Sequence, residues 1–447
     1  MPARHVNFII ITACLSMLCY VVQRRTKTAI MIGDAVAMID AYYVDPIDRD
    51  QLITAAMNGM TESLDDHSEY IAEGNYQAFQ DSIQQEFAGI GIYVEQPEAN
   101  QPIRVITPLV GSPALAAGIM PNDRILRVND EDVSKMELPE VSKRLKGPVG
   151  TEVKIRLARG EERFDLLVKR ENIEIESVIG DHRDANNQWI YRLANQRDIG
   201  YLRLTSFGDR TVNEAKSAIS SLNGDYKGLI LDLRGNGGGL LHSAVEISDM
   251  FLSEGRIVST RTRGGVLEDQ FDASEETLVA NDKPLAIIID QDSASASEIV
   301  AACLQDHQRA VIVGRRSFGK GTVQNIFPLQ YGRSALRLTV ARYYRPNGEN
   351  IHRKRDASEE DQWGVLPSPG YDVGLDPADV EEIAKRWREA SYPSLAGKNT
   401  NMPSNTNSEE EVHSRTEKKG QEGYQLDAQL GAAIDALSSD ERNPDRQ

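Results

Sequence analysis

At 447 residues the chain is long enough for about three domains, each with its own buried core. A formal net charge of −18 leaves none of the basic surface that phosphate binding needs, so nucleic acid is excluded as a principal partner. No H-E-x-x-H helix and no zinc-spaced Cys/His cluster occurs, the 7 histidines are scattered, and neither a metal nor a cofactor is expected. In chain order, the first element is an uncharged apolar run over 8–22, with Arg4 before it and Arg24, Arg25 and Lys27 after it. It falls short of the ~20 residues of a full span and lacks a small-residue cleavage site, which predicts an uncleaved membrane anchor over 1–29. Apolar residues then recur at helical spacing over 30–44 and 52–64 (Leu52, Ile53, Ala56, Met57, Met60, Leu64), giving a helical region over 30–85.

Residues 86–171 read as a small β-rich domain. A loop and edge strand at Phe87–Ile92 precede a strand at 104–108, a short helix from Gly111-Ser112-Pro113-Ala114 to Gly118, and a strand at 125–129. A helix at 141–145 follows, and a strand at 152–158 closes the sheet. This order resembles a PDZ domain. The resemblance implies that Gly89, Ile90 and Gly91 form the loop whose backbone N–H groups hold the carboxylate of a peptide C-terminus. Asn122 and Asp130 stand where glycine is usual, and both tolerate a left-handed backbone. The plain alternative is a β-rich domain with no peptide pocket.

Gly-Leu-Ile-Leu-Asp at 228–232 is a buried strand that runs into the turn 233–239, with three consecutive glycines, and a helix over 240–252. Glycines at a strand-to-helix junction expose N–H groups at a helix's positive end, which suits a developing oxyanion. By itself the turn is equally a plain glycine-rich turn. Further on, the small-residue run 293–298 precedes a helix-like stretch at 298–305, a strand at 310–313, and Phe-Gly-Lys-Gly-Thr-Val-Gln at 318–324. A serine at a helix start and a lysine beyond the next strand can meet in space. Lysine is a base only when neutral, and roughly one in 2,500 is neutral at pH 7 at its ordinary pKa, so burial must lower that pKa. Gly319 and Gly321 allow the close backbone approach that aims Lys320 inward. Residues 314–321 also come within one position of a phosphate-binding P-loop, but Gly321 stands where Ser or Thr must ligate Mg²⁺, so that reading fails.

The stretch from Ser293 to Gln324 resembles the carboxyl-terminal processing peptidases, the tail-specific proteases of serine peptidase family S41. The resemblance implies that Ser295 is the nucleophile, Lys320 the general base and Gln324 the residue that orients it. Asp306 matches an aspartate described in some members, though it equally suits a solvated helix end. The segment Asp-Leu-Arg-Gly-Asn-Gly-Gly-Gly matches the family's oxyanion turn, so the hole would pair Gly238 or Gly239 with the N–H of Ala296. Sequence does not choose between the two glycines. Asp292 replaces a usual glycine and is expected to face solvent, where it would not raise the lysine's pKa.

The fold expected is therefore α/β and multidomain: a crotonase-like protease core over 172–392 with an inserted PDZ domain, N-terminal helices and a membrane anchor. A disordered, polar linker over 393–423 and a closing amphipathic helix over 424–440 (Leu426, Leu430, Ala433, Ile434, Leu437) complete it. By the same resemblance, the partners are protein or peptide substrates with a free, apolar C-terminus, the N-terminal helices make dimer contacts, and the catalytic domain lies outside the cytoplasm in a bacterial envelope. A PDZ scaffold without protease activity is the alternative, and it would make the Ser/Lys/Gln set a coincidence.

Overall fold

The computed structural model describes residues 29–329, 332–392 and 427–440, together with Thr12, Ser16, Met17 and Lys27. The anchor expected over 1–29 thus lies almost wholly outside the described residues, and so does the linker over 393–423. Among the described residues no helix is long and apolar enough to cross a membrane. The chain divides into two compact units, one of residues 1–76 with 324–339 and one of 77–323 with 340–447.

In the first unit, residues 29–42 and Arg49–Glu62 are helical. The second helix starts where Asp48 accepts hydrogen bonds from the N–H groups of Asp50 and Gln51. Asp65 then accepts from the N–H of His67 and of Ser68, a turn that turns the chain into the short strand Glu69–Ile71. That strand pairs antiparallel with residues 335–337 of the long strand Ser334–Tyr344.

The core of the second unit is a five-stranded sheet in the order Val178–Ile179, Ile199–Leu204, Gly228–Asp232, Leu285–Ile289, Val311–Gly314. The last four strands are parallel. Their residues are buried on both faces, which is why they read as continuous apolar runs. Leu229, Leu231, Ile287, Ile289 and Ile312 face one core with the helices Thr211–Ser221, Leu241–Asp249 and Ala296–Asp306. Ile230, Ala286, Ile288 and Val313 face the other, where Leu430, Ala433, Ala436 and Leu437 of the helix Ala428–Asp440 cover the sheet. Burying each such leucine contributes about 1.5–3 kcal/mol. A Cβ at Gly228 would sit 3.0 Å from Leu437 Cδ1, so the tail helix lies directly on the sheet.

The inserted domain is an antiparallel sheet in the order Ile92–Glu95, Arg104–Pro108, Arg124–Val128, Glu152–Arg159, Glu162–Lys169. It closes over Val141 and Leu145 of the helix Leu138–Leu145. Two departures from expectation stand out. Glu152–Arg159 does not close the sheet, because the chain turns at Gly160 and returns as Glu162–Lys169, paired along its full length. At the two turns expected to need a left-handed backbone, Asn122 (φ 70°) and Asn129 (φ 52°) adopt it and Asp130 does not. Glu86–Gly89 and Glu171–Glu174 pair as a two-stranded stem where the chain enters and leaves the domain. At the foot of this stem, the Gln85 side chain donates to Ser206 Oγ and Thr211 Oγ1 of the core.

Candidate active site

Three loops leave the carboxyl ends of neighbouring parallel strands, the edge where open α/β sheets present their ligands. The glycine turn follows Gly228–Asp232, the serine run follows Leu285–Ile289, and residues 315–321 follow Val311–Gly314. The three serines of the run play different parts. Ser293 Oγ donates to Leu233 O, and Ser297 Oγ donates to Asn236 O, so both outer serines tie the run to the glycine turn. The middle one, Ser295, instead places its Oγ 3.3 Å from the Tyr343 hydroxyl. Its backbone is left-handed (φ 56°, ψ −112°) at the start of the helix Ala296–Asp306, an uncommon conformation for a residue with a Cβ.

Glu298, fully buried, joins the serine loop to the lysine loop. Its Oε2 accepts the Ser295 N–H (2.8 Å) and the Lys320 N–H (2.8 Å), while Oε1 accepts from the Gly319 N–H (2.7 Å) and Ser317 Oγ (2.5 Å). Burial pushes this carboxyl above the usual glutamate range, against those four donors. The backbones of Ser295 and Lys320 therefore hang on one carboxylate oxygen. The signal for Glu298 in the sequence is Ser-x-x-Glu at a helix start, a capping-box signature. Tyr343 comes from the distant strand Ser334–Tyr344, and no local sequence pattern marks it.

In the glycine turn, Gly238 lies against the serine: a Cβ there would fall 2.6 Å from Ala294 O and 2.8 Å from Ser295 Cβ. Its own N–H donates to Asn236 Oδ1 at 2.9 Å. The N–H groups of Gly239 and Ala296 make no hydrogen bond among the described residues. Asp290 fastens the same turn from the serine side, accepting from the Gly235 N–H and from Ser293. Asp292 is exposed.

The remaining sequence candidates lie as follows. Asp306 ends the serine helix, and its carboxylate is taken up by Arg345 (2.6 Å) and the Asn347 N–H. Gln324, in the first unit on the strand Thr322–Leu329, donates through Nε2 to Thr339 Oγ1 at 3.4 Å, and Thr339 Oγ1 donates to Asp65 Oδ1. Of the histidines, the two nearest this site in sequence are engaged elsewhere: His307 meets Arg256 O at 2.7 Å, and His242 is exposed beside Glu246. In the inserted domain Gly91 is left-handed (φ 74°), and a Cβ on it would lie 2.4 Å from Ser112 Cβ, so the loop Gly89–Ile90–Gly91 requires glycine there.

The family model described as peptidase family S41 matches residues 198–365, and that of the PDZ domain matches residues 78–158. The carboxy-terminal-processing protease of Bartonella bacilliformis is 37% identical over 377 residues, 82% of this chain and 83% of its own. The carboxy-terminal processing protease CtpA of Bacillus subtilis is 36% identical over 327 residues, 72% of this chain and 66% of its own. Among solved structures, the photosystem II D1 C-terminal processing protease is 29% identical and covers 77% of this chain and 92% of its own, with a TM-score of 0.42.

Proposed function

This chain belongs to the carboxy-terminal-processing proteases of peptidase family S41, and from that premise we propose that Ser295 is its nucleophile and Lys320 its general base. The protein is a serine-type peptidase with a PDZ domain. The observation that carries the assignment is the shared Glu298 oxygen, which brings the strained middle serine and the lysine loop together. Ser295 Oγ attacks the scissile carbonyl carbon as its proton passes to the neutral Lys320 amine. The tetrahedral oxygen is held by the N–H groups of Gly239 and Ala296, each worth roughly 3–4 kcal/mol in the transition state. Gly239 is preferred to Gly238 because the Gly238 N–H is already spent on Asn236. The carbon–nitrogen bond then breaks, the lysine proton goes to the leaving amine, and water activated by Lys320 hydrolyses the acyl-serine. Gln324 keeps the orienting role that the family resemblance implies. The ion pair of Asp306 with Arg345 supports a structural role for that aspartate rather than a catalytic one.

The same reading places a substrate's C-terminus at the loop Gly89–Ile90–Gly91, adding as a strand beside Ile92–Glu95, which among the described residues has a sheet neighbour on one side only. An N-terminal anchor over 1–29, contacts between two copies through the N-terminal helices, and a site of action in the bacterial envelope complete the proposal. The test is turnover of a peptide with a free apolar C-terminus by purified Ser295→Ala, Lys320→Ala and Lys320→Arg. All three are expected to be inactive while still folded, the last because guanidinium does not deprotonate at working pH. Near-normal turnover by any folded variant of the three would overturn the Ser/Lys assignment.

A further inference from the structure

We propose that the C-terminal helix is part of the catalytic apparatus: Asp427, at its start, positions the oxyanion turn by holding Arg234. This rests on the reading of residues 235–239 as the oxyanion turn. Arg234 comes two residues after the end of the strand Gly228–Asp232 and leads into that turn, yet its side chain is 2% exposed. Burial of a guanidinium is tolerable only when its donors are matched and its charge is compensated. Here Nε and Nη2 donate to Asp232, while Nη1 donates to Asp427 Oδ1 (2.8 Å) and Gln429 Oε1 (3.2 Å). Nη2 also reaches Asp427 Oδ2 (3.0 Å), so the tail aspartate grips the fork with both oxygens.

A second guanidinium, Arg203, stacks 3.7 Å from the Trp387 ring centre and donates to Arg234 O. The second carboxylate on the buried Arg234 fork is thus brought by a segment almost 200 residues away. Asp427 also accepts the Leu430 N–H at 3.0 Å and so caps the tail helix. Without it, the buried Arg234 fork keeps Asp232 as its carboxylate partner among the described residues, and Asp232 also serves Arg203 at the root of the turn. The turn itself is fastened at its other points: Gly235 to Asp290, Asn236 Nδ2 to Leu204 O, and Asn236 O to Ser297 Oγ. Arg234 is the fastening that depends on the tail. Docking of the tail helix and the set of the Gly239 N–H are therefore coupled.

The test uses the full chain carrying Asp427→Asn or, as a milder change, Gln429→Ala. Three quantities are read: kcat and KM for a peptide with a free apolar C-terminus, affinity for a peptidyl boronic acid that forms a tetrahedral adduct on serine, and the melting temperature. For folded Asp427→Asn, kcat is expected to fall about tenfold to a hundredfold, less than outright removal of an oxyanion donor, with KM within about threefold. Boronate affinity should fall in step with kcat, because both depend on the oxyanion donors. A role in stability alone would lower the melting temperature and leave boronate affinity untouched. Should Asp427→Asn not fold, Gln429→Ala decides: a parallel fall of kcat and boronate affinity of about twofold to fivefold supports the proposal. Wild-type kcat and boronate affinity in either folded variant overturns it. If Ser295→Ala remains inactive while Asp427→Asn is unimpaired, this inference fails and the Ser/Lys reading stands.

Discussion

Ser295 sits in a backbone conformation that costs a residue with a Cβ about 1–3 kcal/mol, and its surroundings hold it there. The Glu298 carboxylate binds its N–H, Gly238 closes against its Cβ, and Ser293 and Ser297 clamp the chain on either side. The hydroxyl that results lies against the Tyr343 phenol. Burial pushes that phenol up from its ordinary value, so it is neutral and able to donate over the working pH range. A neutral hydrogen bond is worth about 1 kcal/mol, so Tyr343→Phe should lower kcat about threefold to tenfold by loosening the serine rotamer, with KM and the pH profile unchanged. Steady-state kinetics across pH 6–9 measures this. A loss as large as that of Lys320→Ala, with an altered pH limb, would show that the tyrosine rather than the lysine takes the proton.

Among the elements, the inserted domain presents what strand addition needs. Its strand Ile92–Glu95 pairs on one side with Arg104–Pro108, and the helix Leu138–Leu145 flanks the domain core beside it. A substrate carboxylate at Gly89–Ile90–Gly91 would meet backbone N–H groups, and charge-assisted bonds of that kind contribute roughly 1.5–3 kcal/mol. Amidating a peptide's C-terminus should therefore reduce kcat/KM about tenfold to a hundredfold. Matched acid and amide peptides assayed on the wild type measure it, and equal cleavage of the two would refute tail reading by this domain. Much of this level was legible in sequence for a physical reason. Gly228–Asp232 is buried on both faces and so is apolar up to its terminal Asp232, and Arg104–Pro108 is bounded by turns. Glu162–Lys169 was not legible, because Arg163 and Asp165 interrupt its apolar residues, the apolar Leu167 faces outward, and Val168 is its one fully buried residue. The site divided in the same way. Ser295, Lys320 and the glycine turn lie in short segments with a pattern, whereas Tyr343, Arg234 with Asp427, and the choice between Gly238 and Gly239 depend on contacts between distant segments. Hydrogen-bond accounting, not spacing, assigns the Gly238 N–H to Asn236.

For the molecule as a whole, two fully buried carboxylates make opposite contributions to stability against pH. At Asp232 burial pushes the pKa up, but Arg234 first, then Arg203 and the Tyr201 hydroxyl, outweigh it and hold the carboxyl below the usual aspartate range. Its contribution is fully present above its unfolded value near pH ~4 and is lost as pH falls through the lower folded value. Glu298 is the reverse: burial dominates, its folded value is raised, and its contribution is present below the unfolded value and lost as pH rises through the folded one. The general repulsion of a chain with net charge −18 at pH 7 is shared by single-site variants and nearly cancels when each is compared with the wild type. The two comparisons should therefore slope in opposite directions. As pH rises toward the unfolded aspartate value of ~4, the stability advantage of the wild type over Asp232→Asn should grow and then level off, and as pH rises beyond the unfolded glutamate value of ~4.3 its advantage over Glu298→Gln should shrink. Calorimetric melting of the three proteins at matched pH values measures both slopes. Slopes of the same sign would mean that the four donors around Glu298, not its burial, set the state of that carboxyl. Because the same carboxylate holds the serine and lysine backbones, its ionisation would then reach the reaction itself, and the fall in stability toward high pH would be absent.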